Sequence, residues 1–358
     1  MTPRKLFKAT LCLLPALVAA LLAVVFRAFP GVTEAVHARG IFRALSAILG
    51  TLTQYIPLSL TECLVVLALP AVVAIVIVLI RRKTPWRRWV RGLCWGLSFA
   101  FLFYMLMHGY NYSRRPLTEL MELDTSRVAT ADELAALSSW LAQNASAVRE
   151  NCAEDGNGCM VLSDPNTLTA AGEGYDRLAA DSPFLDGTVT RAKGVMLSHW
   201  WSYTGITGMY FPFFAEANVN IDTPHSSRPH TIAHELAHTR GFAHEDECNF
   251  LGVLACVNHP DADFQYAGWL AAYIYVSNAL YELDYQRWAD IRLADCSEGV
   301  RRDLAERSAY WKQFEGKLRE FSENTNDAFI RVNGDEEGVA RYGQATALLL
   351  AYYKDHTH

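Results

Sequence analysis

Acidic residues are nearly absent from the first third of the chain. Residues 1–108 hold twelve of the 32 Lys and Arg residues but only two of the 38 acidic residues, Glu34 and Glu62. This part therefore carries a net charge of +10, whereas the remaining 250 residues carry −16. Binding to nucleic acid requires clustered Lys and Arg to neutralise phosphates, so we expect no nucleic-acid partner for the acidic part.

Charged side chains are also missing from three long apolar runs, at residues 9–26, 63–80 and 92–107. A helix needs about 20 apolar residues to cross the hydrocarbon core of a bilayer. Aromatic residues flank the third run and can extend it through both interfaces. We predict transmembrane helices at about 9–26, 60–80 and 91–109 within a membrane domain of residues 1–112. Residues 113–358 are predicted to form a separate C-terminal domain.

The distribution of basic residues predicts how these helices are oriented. Three basic residues precede the first run and six lie in 81–91, whereas the longer stretch 27–62 holds only three. Basic loops stay on the cytoplasmic side. We therefore expect a multi-pass protein of the inner or plasma membrane, with a cytoplasmic N-terminus, an extracytoplasmic C-terminal domain and the lipid bilayer as partner. No small-x-small pattern follows the first run, which predicts an uncleaved anchor.

A C-x-x-C pair is absent from the eight cysteines. Cys152 and Cys159 stand seven residues apart around a turn rich in Gly, Asn and Asp. In an oxidising compartment these two residues could close a small disulfide loop, and two free thiols are the alternative.

The C-terminal domain shows mainly helical periodicity. The segment at 194–224 is rich in aromatic and β-branched residues and is punctuated by Gly, which predicts two or three short strands. The predicted fold is therefore mostly α with a small β-sheet, in the α+β class. The predicted helices are 131–149, 246–257, 262–284, 299–322 and 336–353.

One motif carries recognisable chemistry: His234, Glu235 and His238 form H-E-x-x-H. The i, i+4 spacing places both imidazoles on one helix face, where they can bind one Zn²⁺. Glu235 lies beside them and can take a proton from a water bound to that ion. Gly241 is expected to end the helix in a left-handed conformation. A polar helix without metal is the alternative.

Two residues compete to be the third zinc ligand. His244 completes the string H-E-x-x-H-x-x-G-x-x-H, but Met209 is the last methionine and no downstream Met-turn follows. Glu247 shares a predicted helix face with apolar residues, where an ionised carboxylate is costly unless it is bound. Glu245 is interpreted as an acid that favours the helix N-terminus. Glu247 is preferred, and His244 remains open.

Several further residues are candidates for binding substrate. Glu216, Asn218 and Asn220 alternate along 214–221, a segment that could be a sheet edge to which an extended peptide pairs. A solvated or turn-forming strand is the alternative. Tyr266 and Tyr342 could donate a hydrogen bond to a transition-state oxyanion, although core packing is the ordinary role for each.

The chain also resembles a known family over nearly its whole length. The segments "LSHWWSYTGITGMYFPFFAEANVN", "TIAHELAHTRGFAHEDECNFLGVLAC", "YAGWLAAYIYVSNALY" and "GVARYGQATALLLAYY" are similar to the bacterial membrane-protein family called domain of unknown function 3810. The resemblance implies a zincin-like metallopeptidase domain outside the membrane, without implying a substrate. The family pattern E-D-E-A-N-F favours Glu247 over His244 as ligand. It is matched here by Glu245, Asp246, Glu247, Asn249 and Phe250, with Cys248 replacing Ala.

These features lead to one main functional hypothesis. The protein is expected to be a membrane-anchored zinc metallopeptidase that cleaves a peptide or protein by Glu-assisted attack of zinc-bound water. The alternative is a non-catalytic zinc-binding receptor, assembly factor or envelope scaffold, with a closed four-ligand site, for example one in which His244 and Glu247 both bind. A third hypothesis is a metallohydrolase that acts on a non-peptide bond. The oligomeric state is not indicated.

Overall fold

The computed structural model describes residues 10–83, 85–332 and 342–356. Within these ranges, three helices are long and apolar enough to cross a membrane: Leu11–Ala28, Leu60–Arg81 and Trp86–Met107. They are called the first, second and third span. A helix of 22 residues is about 33 Å long, which matches a hydrocarbon core of about 30 Å. The three predicted spans are confirmed, except that residue 9 lies outside the described part.

The three spans run in alternating directions along the chain. The first and third spans pack against each other: the Phe26 ring, near the end of the first span, lies 5.0 Å from the Tyr110 ring, just after the third span. The second span begins at the C-terminal domain and runs away from it to Arg81, where the third span returns. This alternation agrees with the pattern of basic residues. Which end faces the cytoplasm stays a prediction.

The stretch between the first two spans is helical rather than a simple loop. Pro30–Val32, the π-helical Thr33–Phe42 and Arg43–Gln54 follow one another and are together called the interspan helix. It packs on the C-terminal domain, where the Ser46 hydroxyl donates to the Thr239 carbonyl at 2.9 Å. The proposed boundary at residue 112 stays a prediction, since part of the membrane segment is built into the domain that follows.

The C-terminal domain is mainly helical, and small sheets of two and three strands confirm the α+β class. Helix α1 begins and ends where the periodicity predicts, after a Thr130–Glu133 capping box. The predicted helix 299–322 is interrupted at residues 313–316, and the sequence did not predict α2 and α6. Residues 336–341 of the last predicted helix lie outside the described part. The helices of ten or more residues are α1 (Ala131–Arg149), α2 (Gly172–Asp181), α3 (Arg228–Thr239), α4 (Glu245–Val257), α5 (Ala262–Leu283), α6 (Tyr285–Ala294), α7 (Glu298–Lys312), α8 (Lys317–Val332) and α9 (Tyr342–Tyr352).

A three-stranded sheet lies beside α3. Its strands are β3 (Lys193–Val195), β4 (Gly208–Phe211) and β5 (Glu216–Asn220), and a separate two-stranded sheet joins β1 (Ala153–Glu154) to β2 (Met160–Val161). Strand β5 is central, since it pairs parallel to β3 and antiparallel to β4. Ala217 and Val219 of β5 join the core with Ile232 and Leu236 of α3.

The predicted substrate edge at Glu216, Asn218 and Asn220 is wrong. These side chains alternate as predicted, but they belong to the central strand and are at most 2% exposed. Glu216 accepts hydrogen bonds from the amides of Leu60 at 3.2 Å and Thr61 at 3.0 Å. The first amides of a helix lack intrahelical acceptors, so this carboxylate caps the second span instead of binding a ligand.

The predicted disulfide is also not formed, because Cys152 and Cys159 are both free. The Cys152 thiol is buried and lies 3.8 Å from the carbonyls of Val148 and Ala262. The turn between the cysteines is held by the Asp155 carboxylate instead, which accepts from the amides of Asn157 and Cys159 at 2.9 Å each.

A buried ion pair joins the membrane segment to the C-terminal domain and can be tested. Arg114 donates from Nε and Nη2 to Glu34 at 2.9 Å each, and from Nη1 to the Gly241 carbonyl at 2.9 Å. We expect Arg114→Met to lower the free energy of unfolding by about 3 kcal/mol, because Glu34 stays buried and, among the described residues, keeps Arg39 alone as an ion-pair partner. Thermal unfolding in detergent micelles measures this loss.

Arg127→Met is the matched control, since the Arg127 side chain is 73% exposed and pairs with Glu133 on the surface. Surface pairs contribute about 0–1 kcal/mol. Equal stability losses in the two variants would contradict a structural role for the buried pair.

Candidate metal centre

Helix α3 carries the two histidines of the motif. Pro229 lies in its first turn, and the chain leaves the helix through Gly241 at φ +84°, a left-handed conformation that favours glycine. The predicted helix end is therefore confirmed. His234 and His238 stand one turn apart with their ring centroids separated by 5.1 Å.

Glu245 is the acid that lies beside both rings. Its Oε2 is 3.1 Å from Nε2 of His234, and its Oε1 is 3.7 Å from Nε2 of His238. Ligand atoms of these three residues all lie within 4.8 Å of one another. His234, His238 and Glu245 are called the metal cluster, because two imidazoles and a carboxylate in this arrangement could hold a metal ion.

Both predicted third ligands lie elsewhere. Oε1 of the buried Glu247 accepts from the Leu117 amide at 2.6 Å, and Nε2 of His244 lies 3.3 Å from the Tyr112 carbonyl. The structure thus brings Glu245, rather than Glu247 or His244, to the two histidines. Helix α4 is buried on every side, with every residue of 246–256 buried, so no apolar stripe distinguishes one of its acids from another.

Neighbouring groups set the orientation of the His238 ring and the charge of Glu245. Nδ1 of His238 lies 2.8 Å from the Phe242 carbonyl, an acceptor that places the proton on Nδ1 and directs Nε2 toward Glu245. Burial alone would raise the pKa of Glu245, but the hydrogen bond from His234 and the charges of both histidines lower it. Its side chain is also 42% exposed, so water helps to keep it ionised. An anionic carboxylate is the form that a metal ion requires.

Glu235 lies in a dry environment between α3 and β4. Burial raises the pKa of Glu235 to about 8, although the charge of His234 opposes this shift. Its Oε2 atom has no hydrogen-bond partner within the described residues. Strand β4 approaches closely at Gly208, where a Cβ atom would lie 2.8 Å from Cδ of Glu235. A side chain at this point of the strand would therefore displace the Glu235 carboxyl or the strand itself.

Two residues near the cluster were not predicted. The His108 ring lies 6.1 Å from the His238 ring, measured between centroids, and the Tyr210 ring lies 5.9 Å from it. The Tyr210 hydroxyl donates to the carbonyl of Met107, the last residue of the third span, at 3.2 Å. The only sequence signal is that a histidine directly follows the third apolar run, which does not indicate a site by itself.

Tyr266, one of the two tyrosines predicted to bind substrate, has its hydroxyl in the core instead of at the cluster. Tyr266 is fully buried, and its hydroxyl donates at 2.6 Å to Asp303, which also pairs with Arg149. The expectation that Tyr266 stabilises an oxyanion is wrong, because this hydroxyl supports a buried ion pair in the core. Tyr342 begins α9, and its side chain lies outside the described part.

Together these observations define a membrane protein whose α+β domain carries a group of residues able to bind a metal ion. The family described as "Protein of unknown function (DUF3810)" matches residues 37–350, and the chain belongs to this family. This confirms the family resemblance seen in the sequence. No curated protein and no solved structure matches the chain.

The close approach of Gly208 to Glu235 can be tested by a double-mutant cycle. We expect Gly208→Ala to lower the unfolding free energy by about 1–3 kcal/mol, because the added methyl overlaps the Glu235 carboxyl. In a Glu235→Ala background the same change should cost much less, since the overlapping atoms are gone. Thermal unfolding of the four proteins gives the coupling free energy.

Gly156→Ala is the control, because a Cβ atom there meets no atom within 4 Å. Equal costs of Gly208→Ala in both backgrounds would mean that another neighbour, and not Glu235, requires the glycine.

Proposed function

We propose that this protein is a membrane-bound zinc metallopeptidase. His234, His238 and Glu245 hold the ion, and Glu235 transfers protons during peptide-bond hydrolysis. The observation that carries the proposal is the metal cluster beside a buried carboxylate whose Oε2 has no partner among the described residues.

The donor set fits zinc. Two imidazoles and one carboxylate are the protein ligands of many zinc peptidases, which keep a further position open for water or substrate. When bound in such a site, zinc polarises a carbonyl and lowers the pKa of water. The acceptor at the Phe242 carbonyl fixes the orientation of the His238 ring, as outer-shell partners of metal ligands do.

Glu235 is suited to move protons. It accepts a proton from the attacking water and delivers it to the leaving amine. Burial raises the pKa of Glu235 to about 8, whereas the positive charge of His234 favours the ionised form. A zinc ion in the cluster would act in the same direction as His234, so the carboxylate can act as a base. Its place on α3, beside His234, agrees with the role that the motif predicts.

The edge of β4 supports a peptide as substrate. Within the described residues β4 pairs only with β5, and its first residue, Gly208, lies against Glu235. An extended peptide that adds to this edge would pass the catalytic carboxylate. Strand β4 therefore provides the sheet edge for an extended peptide that the sequence suggested at 214–221.

Two further elements of the proposal rest on the sequence. The zincin-like character comes from the H-E-x-x-H helix together with the adjacent sheet. An extracytoplasmic active site in the plasma or inner membrane follows from the basic residues of 81–91.

The position of His244 and Glu247 argues against the non-catalytic alternative. That hypothesis predicts a closed site of four ligands, for example one in which both residues bind the ion. Their contacts with the Tyr112 carbonyl and the Leu117 amide hold both away from the cluster. A cluster of three protein ligands leaves room for substrate, which supports hydrolysis.

Metal content tests the ligand set. The full chain, purified in detergent, is expected to hold about one zinc ion per molecule. Glu245→Gln and His234→Ala should weaken zinc binding by more than the roughly 10–100-fold cost of losing an outer-shell partner. Glu247→Gln is the matched control and should keep its zinc. Elemental analysis after dialysis measures the content, and zinc loss in Glu247→Gln alone would restore Glu247 as ligand.

Glu235→Gln tests the catalytic step. This variant should keep its zinc but lose hydrolysis of fluorescent casein by about 10²–10⁴-fold, because the glutamine side chain cannot accept the proton. Glu173→Gln changes an exposed acid and should leave turnover unaltered. Equal turnover in Glu235→Gln and the unmodified protein would remove Glu235 from the mechanism.

A further inference from the structure

The metal cluster lies directly at the outer end of a membrane span. His108 follows Met107, the last residue of the third span, and its ring centroid is 6.1 Å from that of His238. Tyr210 of β4 contacts both sides of this junction, with its ring beside His238 and its hydroxyl on the Met107 carbonyl. The cluster therefore lies at the level where the third span leaves the hydrocarbon core.

The open strand edge runs from the catalytic carboxylate to this same span. Gly208 at the start of β4 lies against Glu235, and Phe211 ends the strand three residues later, about 10 Å away. In the turn that follows, the Phe213 ring stacks on Phe103 of the third span at 5.5 Å. A peptide paired with β4 would thus have one end beside the bilayer.

Exposed apolar side chains of the C-terminal domain also lie beside the start of the second span. Met196 and Trp200 are 77% and 67% exposed, although both are large apolar residues. The amides of Met196 and Leu197 donate to Glu62, in the first turn of the second span, at 2.9 and 2.7 Å. Tryptophan favours the interface between lipid and water. These side chains continue the lipid-facing surface of the span onto the C-terminal domain.

We propose that the substrates are polypeptides held in the same bilayer by their own membrane anchor. They are cleaved close to the bilayer surface on which the C-terminal domain lies. This proposal rests on the peptidase activity proposed above. A substrate confined to the same membrane has a high effective concentration, so a weak interaction with the β4 edge suffices. The anchor brings its first extramembrane residues to the level of the cluster.

Three forms of one peptide library test the proposal on the full chain in liposomes. A randomised segment is coupled directly to a lipid, coupled through a helical spacer of about 20 residues (about 30 Å), or left free in buffer. Mass spectrometry measures the fragments released by the unmodified protein and by Glu235→Gln. We expect the directly coupled library to be cleaved at least about tenfold faster than the other two, and only by the unmodified protein.

Each other outcome contradicts a defined part of the argument. Equal cleavage of the free library would overturn the proposed substrate class and leave the peptidase function intact. If the library on the helical spacer were cleaved as fast as the directly coupled one, attachment to the bilayer alone would determine the rate. The proposed cleavage close to the bilayer surface would then be wrong. The absence of Glu235-dependent cleavage in all three forms would overturn the peptidase function itself.

Discussion

The buried guanidinium of Arg114 is the contact on which the arrangement of this protein depends. It follows the third span, pairs with Glu34 of the interspan helix, donates to the carbonyl of Gly241 and lies 4.0 Å above the Phe242 ring. Burying two charges is costly and is repaid only when all their donors and acceptors are satisfied. The contact is therefore specific, and it connects the end of α3 to the interspan helix.

That fixed helix end also determines the geometry of the metal cluster. Only six residues, 239–244, separate His238 from Glu245, and Gly241 reverses the chain there with a positive φ. The same short turn supplies the Phe242 carbonyl that orients His238. Tyr210 of β4 lies beside His238 and its hydroxyl donates to the Met107 carbonyl, so the cluster, Glu235, strand β4 and the end of the third span form one continuous region.

Features that depend on local periodicity could be predicted from the sequence. The spans follow from long uncharged runs, α1 from a capping box and an amphipathic repeat, and the shared helix face of His234 and His238 from i, i+4 spacing. Gly241 as the helix end belongs to the same group, because a left-handed residue is a local requirement. In each case the deciding interactions lie within a few residues along the chain.

The sequence by itself thus determined the membrane-spanning segments, the α+β class and the two histidines with the glutamate between them. Only the tertiary structure decided that Glu245 lies at the histidines, that Glu247 binds the Leu117 amide, and that Glu216 caps the second span. Two acids that are two residues apart in the first turn of one largely buried helix have no local sequence feature that separates them. Their roles follow from which distant segment packs against each, and that information is not local to the chain.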